Sequence, residues 1–387
     1  MELLEKLEIL GSAAKYDVCA TTANRSDNRK RPWGKLPSSG ICHSFTPDGR
    51  CISLFKVLMT NECVSDCAYC PNRFDQNIQR VSFTPEELSK LFMQFYERNY
   101  VSGLFLSSGI AINRQRTLEK MLKAIEILRY QHKFKGYIHL KVLPGASQEY
   151  IEKAVELSDR LSINAEVPNN EYLHKLSELK DFNNDIVEPM KLIDNLSQKK
   201  NYITQSTQFI VGAAGEKDKE ILATTNQLYK DVGLRRAYFS AFQPIKGTPL
   251  AKNNSSSVKR EHRLYQADFL LRKYDFNFND LIFEENGQLS ENIDPKLAIA
   301  LNKADKFPLE INKASYHELL EVPGIGPVSA KRIIRGRKKF SIKTLNQLKN
   351  IGAVTKRAAP FITINGKKVG DIDNLLANKE YKQLSLF

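Results

Sequence analysis

Between residue 51 and about residue 250, the chain alternates short apolar runs with longer stretches of helical periodicity. The runs are rich in β-branched and aromatic residues and stand at 51–59, 103–109, 137–143, 161–167, 207–211 and 237–243. The stretches between them have the pattern of amphipathic helices, and one of them begins after Thr84 with Pro85 in its first turn. Six strands that alternate with helices predict a parallel sheet with crossover helices.

The length of this region limits the kind of sheet. It is roughly 200 residues long, whereas a complete eightfold barrel takes about 250. We therefore predict an α/β fold, a partial (β/α)6 TIM-like barrel, with its chemistry at the carboxyl ends of the strands. Residues 251–262 have the composition of a surface loop, and 263–305 that of a mostly helical connection.

Composition narrows the class of protein. A chain of 387 residues can bury a sizeable core and is expected to hold two domains. Its charged amino terminus has no signal-peptide core, and no later run is long enough to span a bilayer, so we predict a cytoplasmic protein with no membrane partner. The formal charge of +14 indicates a polyanionic partner.

Half of the six cysteines are crowded into one loop. The segment LMTNECVSDCAYCPN, at 58–72, holds Cys63, Cys67 and Cys70 directly after the first predicted strand. Three thiolates are one fewer than a structural zinc site normally takes, but they suffice for an iron-sulfur cluster with one iron left open. The alternatives are a zinc knuckle that borrows Cys51 and thiols without any ligand.

This spacing, its place after strand one and the aromatic Tyr69 before Cys70 resemble the radical S-adenosylmethionine superfamily. The resemblance implies a [4Fe-4S] cluster on the three cysteines, with S-adenosylmethionine chelating the fourth iron through its amino and carboxylate groups. It also implies an electron donor such as flavodoxin or ferredoxin, and a 5′-deoxyadenosyl radical that abstracts hydrogen from an unactivated C–H bond.

The same resemblance implies contacts with S-adenosylmethionine at the ends of strands two, four and five, besides Tyr69. They are Ser107, Ser108 and Gly109 at the methionine amino group, Asn164 and Glu166 at the ribose hydroxyls or methionine carboxylate, and Val211 and Gly212 at the adenine. The alternative for each position is an ordinary core strand or tight turn.

Three further cysteines lie near the loop in sequence. Cys42 and Cys51 flank the cluster loop on its amino side, with His43 beside Cys42. We expect either that one of the two thiols donates a hydrogen atom to a substrate radical or that they hold a second metal centre together with Cys19. Simple buried cysteines are the alternative.

The carboxyl-terminal third has a different pattern. Residues 311–334 read as a helix, a Pro-Gly-Ile-Gly-Pro turn and a second helix, and they resemble the helix-hairpin-helix motif of DNA-binding proteins. Gly324 and Gly326 are expected to let the backbone approach a phosphate, with Lys331, Arg332 and Arg335 on the helix that follows. A degenerate second copy stands in TLNQLKNIGAVTKRAAPFITI.

Charge supports this interpretation, because residues 308–370 contain 13 Lys and Arg against 3 Asp and Glu. We therefore favour binding to a nucleic-acid backbone over an ordinary hairpin with a solvated basic face.

The two ends of the chain carry weaker signals. Residues 24–35 hold five basic residues around Trp33, which predicts either a DNA-contacting loop or a solvated one. The last five residues, QLSLF, resemble the peptide by which bacterial repair proteins dock on the DNA sliding clamp, with Leu386 and Phe387 as anchors and Gln383 fixing register. The alternative is that this peptide folds back on the protein itself.

Taken together, most of the chain resembles a group described as DNA modification or repair radical S-adenosylmethionine proteins, which is linked to a uracil-DNA-glycosylase-like protein. The predicted function is radical chemistry on DNA; the alternatives are radical chemistry on RNA and a metal-containing DNA-binding adaptor without catalysis. The predicted organisation is a basic segment (1–50), the barrel (51–250), a helical connection (251–307), a small all-α helix-hairpin-helix domain (308–364) and a tail (365–387).

Overall fold

The computed structural model describes residues 1–16, 40–45, 51–199 and 203–371. The chain divides into two compact units, Met1–Glu216 with Gln227–Ser256 and Lys217–Asn226 with Ser257–Phe387. Cys19, the basic segment around Trp33 and the QLSLF tail lie outside the described residues. No helix in the described part of the chain is long and apolar enough to cross a membrane.

The first unit contains a sheet that, over the described residues, has seven strands in simple chain order. Strands β2 to β7 run parallel, and β1 pairs antiparallel with β2 at one edge. The six parallel strands confirm the partial (β/α)6 barrel. The strands are β1 Ile41–Phe45, β2 Cys51–Leu58, β3 Gly103–Ser107, β4 Tyr137–Lys141, β5 Arg160–Ser162, β6 Thr204–Val211 and β7 Arg236–Ala241.

Helices connect the parallel strands and cover the sheet. They begin where the sequence supplies caps: the Thr84 hydroxyl accepts from Glu87 N–H at 3.1 Å, and the Glu87 carboxylate accepts from Thr84 N–H at 2.9 Å. The helices of this part of the chain are α1 Leu3–Ala13, α2 Pro85–Glu97, α3 Arg114–Glu126, α4 Gln148–Leu157, α5 Asn170–Leu176, α6 Glu188–Ser197 and α7 Asp218–Asp231, with the boundary between the units running through α7.

The predicted strands agree with the structure except at β5. The apolar run 161–167 predicts seven residues, but the strand ends at Ser162. Further along, Glu166 adopts a left-handed φ of 65° and forms an isolated bridge to Phe209. A non-glycine residue in that conformation is uncommon and strained, which often marks a functional position.

Two elements of this unit were not predicted. Strand β1 is short and lies at the sheet edge, and helix α1 packs on β2 through buried Leu7 and Leu10. The alternation of apolar residues in β1 is too brief for periodicity to reveal it.

The second unit is larger than the predicted hairpin domain. Its later elements are α8 Val258–Lys273, α9 Pro295–Asn302, β8 Leu309–Glu310, α10 Tyr316–Glu321, α11 Pro327–Gly336, α12 Leu345–Ile351, α13 Thr355–Ala358, β9 Ile362–Ile364 and β10 Lys367–Lys368. Leu297 and Leu301 of α9 pack on the same apolar core as the hairpins, so the predicted connection belongs to this unit.

Two details of that region differ from prediction. The predicted loop 251–262 ends early, because Ser257 caps α8 by accepting from Lys259 N–H at 3.0 Å. The hairpin region is also not all-α, since β8, β9 and β10 form a small three-stranded sheet. These strands are only two or three residues long, which is too short for a periodic pattern.

Candidate functional site

The cysteine loop follows β2, and Arg80 forms several of the hydrogen bonds that hold it. The guanidinium of Arg80 donates to four backbone carbonyl oxygens, those of Asn61 at 2.6 Å, Asn72 at 2.9 Å, Arg73 at 2.6 Å and Gln76 at 3.0 Å. Because a guanidinium presents its donors in a fixed planar fork, these bonds fix the curvature of the loop. Nothing in the sequence pattern marks Arg80 for this role.

The structure brings the three cysteines together at the carboxyl end of β2. Cys67 is buried, Cys63 and Cys70 are partly buried, and Cys70 N–H donates to Cys67 O at 3.1 Å. Burial, and then the neighbouring Cys67 sulfur, raise the pKa of the Cys70 thiol to about 12, although Asn72 N–H donates to its Sγ at 3.4 Å. A thiol in such surroundings becomes a thiolate when a cation such as cluster iron binds it, so these donors fit an iron-sulfur cluster.

The three thiols of the loop are not placed to bind one and the same metal ion. Within the ranges that the structure describes, no three His, Cys, Asp or Glu side chains are placed to hold one metal ion. In a [4Fe-4S] cluster each thiolate binds a different iron, so three cluster ligands need not meet at one ion.

A buried charged pair lies beside the cysteines. Nζ of Lys180 is 4.0 Å from Oε1 of Glu166, and Lys180 is also hydrogen-bonded to Cys67. Burial acts to lower the pKa of Lys180, but Cys67 and Glu166 raise it above its usual value. Burial and Glu166 also raise the pKa of the Tyr69 hydroxyl. Tyr69 is one of the residues predicted to contact S-adenosylmethionine.

Glu166 retains a free acceptor. Its Oε2 atom is buried and has no hydrogen-bond partner among the described residues. A buried carboxylate oxygen without a partner is costly, and a ligand ammonium or hydroxyl would satisfy it. This arrangement fits the predicted contact of Glu166 with S-adenosylmethionine, most directly with a donor group such as a ribose hydroxyl. Asn164, the other predicted residue, is buried on the inner side of the barrel.

The Ser-Ser-Gly run after β3 packs directly on the cysteine loop. Gly109 N–H donates to Thr60 O at 2.8 Å, and Ile110 N–H points at Cys63 Sγ at 3.5 Å. A Cβ at Gly109 would lie 2.4 Å from the Glu62 carbonyl oxygen, so the close approach of the two segments requires glycine. Ser107 is buried, and Ser108 Oγ is buried without a hydrogen-bond partner in the described part of the chain.

The glycine-rich segment after β6 is organised by a carboxylate that the sequence analysis did not single out. Val211 is fully buried, and Gly212 has a φ of 89°. The buried Glu216 accepts from Gly212 N–H and, at 3.0 Å, from Ala214 N–H. The N–H of Gly212 is therefore used within the loop, and the Val211 carbonyl accepts from Phe242 N–H at 2.9 Å, so the adenine contact stays a prediction.

The proposed roles of Cys42 and Cys51 do not agree with the structure. Cys42 is disulfide-bonded and has no S–H hydrogen to donate. Cys51 is a free, exposed thiol at the first residue of β2, while the cysteine loop follows the last. Seven residue steps along a strand separate the two ends by about 23 Å. That distance removes Cys51 both as a hydrogen donor at the site and as a fourth ligand in the loop.

The two hairpins of the second unit pack on each other through their turns. Gly324 O accepts from Val354 N–H at 2.8 Å, and Ser329 Oγ donates to Gly352 O at 2.8 Å. Gly324 and Gly352 have φ values of 86° and 101°. A Cβ at Gly324 would lie 2.5 Å from Val354 O, so this glycine is required for packing between the hairpins, whatever it contacts outside.

The predicted basic residues of α11 divide into two groups. Lys331 and Arg335 are exposed, and so are Lys338 and Lys339 after the helix. Arg332 is exposed but donates to Ile351 O at 3.0 Å, which ties α11 to α12. A cationic surface thus begins one turn beyond Gly326.

Two models of known protein families match different parts of the chain. Residues 57–228 match the model of the radical SAM superfamily, where SAM is S-adenosylmethionine, and residues 306–362 match that of the helix-hairpin-helix motif. No curated protein matches the chain.

Solved structures resemble it at low identity. Methylornithine synthase is 15% identical with a TM-score of 0.47 over 55% of this chain and 60% of its own. The FeFe-hydrogenase maturase from Carboxydothermus hydrogenoformans is 15% identical with a TM-score of 0.44 over 55% and 50%. A radical SAM methyltransferase from Sphaerobacter thermophilus is 14% identical with a TM-score of 0.43 over 60% and 75%. This chain spans only half to three fifths of the first two, and the likeness is too weak for their reactions to bear on it.

Proposed function

We propose that this chain, whose residues 57–228 match the radical SAM superfamily, is a radical SAM enzyme that directs its 5′-deoxyadenosyl radical at DNA held by the helix-hairpin-helix pair of residues 306–362. The observation that carries the proposal is the exposed cationic surface of Lys331, Arg335, Lys338 and Lys339 directly behind the first hairpin turn. A nucleic-acid backbone is the polyanion that such a surface best complements.

The residues of the first unit supply the radical chemistry. Cys63, Cys67 and Cys70 are the ligands for a [4Fe-4S] cluster, and Glu166 offers its unpaired oxygen to S-adenosylmethionine. When bound, the cluster and S-adenosylmethionine supply an electron and a cleavable sulfonium, which together give the 5′-deoxyadenosyl radical.

The chain's own groups prepare this site. Arg80 fixes the loop that carries the ligands, and Lys180 places a positive charge beside Cys67. This ammonium group complements the negative charge that a cluster-bound sulfur at Cys67 would carry. Cys67 and Glu166 together keep the pKa of Lys180 above its usual value despite its burial.

The second unit supplies the contacts to the substrate. The first turn of α11 follows Gly326, and the N–H groups at a helix start favour an anion such as phosphate. Eleven of the 13 basic residues of 308–370 are exposed and extend the same preference over a wider surface, whereas Arg337 and Arg357 are partly buried and bonded within the protein. These contacts set position along a strand but not sequence.

A binding experiment tests the DNA part of the proposal. The double variant Lys331→Gln, Arg335→Gln should bind a DNA duplex more weakly than the wild type, and the log-log slope of affinity against salt should fall by about 0.9 for each phosphate group that the variant no longer binds. The control replaces Lys90 and Lys120, which are equally exposed on α2 and α3 of the barrel. If the hairpin pair and the control pair have the same effect, the hairpins do not carry the binding.

An activity experiment tests the reaction class. The reduced, anaerobic enzyme is incubated with damaged duplex DNA, and 5′-deoxyadenosine and nucleoside masses are followed together. We expect DNA to raise 5′-deoxyadenosine and to produce a nucleoside of new mass. RNA of the same sequence is the parallel arm, and a response to RNA alone would transfer the proposal to RNA modification.

A further inference from the structure

The second unit contains a cavity of about 490 Å³ beside the two hairpin turns. Part of its lining is aromatic: Tyr265 and Phe269 lie on α8, and Tyr274 is the residue after this helix. The rest of the lining includes the two hairpin turns, at 324–326 and at Gly352. The volume lies within the roughly 300–1,000 Å³ that is typical of sites for small ligands.

The residues that line the cavity are of two kinds, aromatic side chains and glycine backbone. The turns present backbone rather than bulky side chains, because three of their lining residues are glycines. The absence of a side chain matters at Gly326, where a Cβ would lie 3.0 Å from the Tyr274 hydroxyl. Aromatic rings and glycine backbone in one cavity favour a planar ligand that stacks on the rings.

The cavity also has a polar edge. Asp294 forms an ion pair with Arg357, and Lys296 Nζ donates to Ile325 O at 2.5 Å and lies 4.8 Å from the centre of the Tyr274 ring. Asp294 and Lys296 are 7% and 8% exposed. Buried groups that include a carboxylate acceptor and cationic donors can pair with the mixed donor and acceptor edge of a heterocycle.

One of the aromatic side chains that line the cavity, Phe269, is exposed and is not part of the buried core. Phe269 is 49% exposed and contacts Arg272, whose guanidinium lies 5.7 Å from the centre of the ring. An exposed ring that lines such a cavity can stack on a base, which is worth about 1–3 kcal/mol per base in single-strand binding.

We propose that this cavity receives one nucleobase, displaced from the strand whose backbone the hairpins hold. The proposal rests on the proposed function, since the base is delivered by a strand bound at the hairpin turns. Enzymes that act on bases take them out of the stack, and a mismatched base costs least to extrude.

The test compares two duplexes at one salt concentration with the full-length protein. One duplex is fully paired and the other has a single mismatched position. Wild type should bind the mismatched duplex about tenfold more tightly, and Phe269→Ala should lose most of that preference while binding the paired duplex as the wild type does. Phe340→Ala is the matched control, since Phe340 is 55% exposed in the same unit and does not line the cavity.

The outcomes separate the two proposals. If wild type binds neither duplex, the proposed function fails and takes this inference with it. If wild type binds both duplexes equally, or if Phe269→Ala keeps the preference, the inference alone is overturned.

A third arm adds a nucleoside monophosphate as competitor and identifies the source of the base. It should abolish the preference for the mismatch at concentrations that leave binding to the paired duplex intact. The opposing result is that the wild type has no mismatch preference but binds the monophosphate, and that Phe269→Ala weakens this binding. The cavity would then be a free-nucleotide site, and the strand would not be the source of the base.

Discussion

Nζ of Lys180 lies 4.0 Å from Oε1 of Glu166, and the two side chains are only 7% and 6% exposed. The pair joins two segments that are distant in sequence, because Lys180 is also hydrogen-bonded to Cys67 of the cysteine loop. Removing one member of a buried ion pair leaves an uncompensated charge, at a cost of about 3–5 kcal/mol. The pair therefore couples Glu166, the residue predicted to contact S-adenosylmethionine, with the loop that carries the predicted cluster ligands.

Glu166→Gln tests the binding role of the carboxylate. We expect affinity for S-adenosylmethionine, measured by equilibrium titration of the cluster-loaded protein, to fall about tenfold, because a charge-assisted hydrogen bond worth about 1.5–3 kcal/mol is weakened. Glu62→Gln is the control, since Glu62 is exposed near the same loop. Unchanged affinity in a folded Glu166→Gln protein would contradict the assignment.

Single replacements of Cys63, Cys67 and Cys70 by Ala should abolish cluster binding, because a three-thiolate site has no spare ligand. Iron content and the absorbance of the anaerobically reconstituted protein are the measurements. Cys51→Ala provides a cysteine control at the far end of β2 and should retain full iron. Loss of iron in that variant equal to the loss in the other three would refute the ligand set.

Gly109→Ala should displace the cysteine loop without unfolding the barrel. The new Cβ would meet the Glu62 carbonyl oxygen at 2.4 Å, so one of the two segments must move. We expect reduced iron content with an unchanged far-ultraviolet circular dichroism spectrum. Gly336→Ala is the comparison, because a Cβ there meets only Phe340 at an ordinary 3.8 Å and the substitution favours helix. Normal iron loading in Gly109→Ala would show that the close approach is not needed.

The stability of the protein should depend on pH through Lys296. Burial, and then the neighbouring Arg357, lower the pKa of this lysine from 10.5 to about 7. Between these two values the unfolded chain binds more protons at Lys296 than the folded chain does, so the free energy of unfolding should rise with pH, by up to about 1.4 kcal/mol per pH unit. Below about pH 7 this contribution should be flat.

Denaturant unfolding of wild type and Lys296→Met at several pH values between 6 and 10 measures the effect. The variant lacks the titrating group, so the stability difference between the two proteins should change over the window from pH 7 upward. Parallel pH profiles for the two proteins would mean that the amine does not titrate in this range.

The tail prediction rests on sequence alone, since residues 372–387 lie outside the described part of the chain. We propose that QLSLF delivers the enzyme to the DNA sliding clamp, with two apolar anchors in a preformed pocket. Calorimetric titration with the clamp of the same organism should detect binding by the intact chain and none by a chain that ends at Lys382. Equal binding by both, or by neither, is the opposing result. The uracil-DNA-glycosylase-like partner is likewise a proposal from resemblance.

The sequence predicted those features that repeat or cluster locally. Six parallel strands follow from alternating apolar runs, the cysteine loop from three thiols within eight residues, and the first hairpin from its paired glycines. In each case the determining residues are neighbours in the chain, so a pattern of spacing is sufficient.

The features that were missed depend on contacts across the chain. Lys180, Glu216 and Lys296 are single charged residues in unremarkable segments, and only folding buries them against Cys67, Gly212 and Ile325. The left-handed turn at Glu166 is equally hidden, because its sequence, Ile-Asn-Ala-Glu-Val, continues the strand pattern. Burial of a charge is a tertiary property that composition does not report.

The carbonyl contact between the hairpin turns has a consequence for divergence and for engineering. Gly324 and Val354 each occupy space that the other turn leaves open, so a change in length or side chain at one turn must be matched at the other. Because Leu297 and Leu301 of α9 pack on the core of both hairpins, the smallest part that could be transplanted to another protein is the hairpin pair together with α9. A single hairpin moved alone would carry an unpaired carbonyl and half of an apolar interior into water.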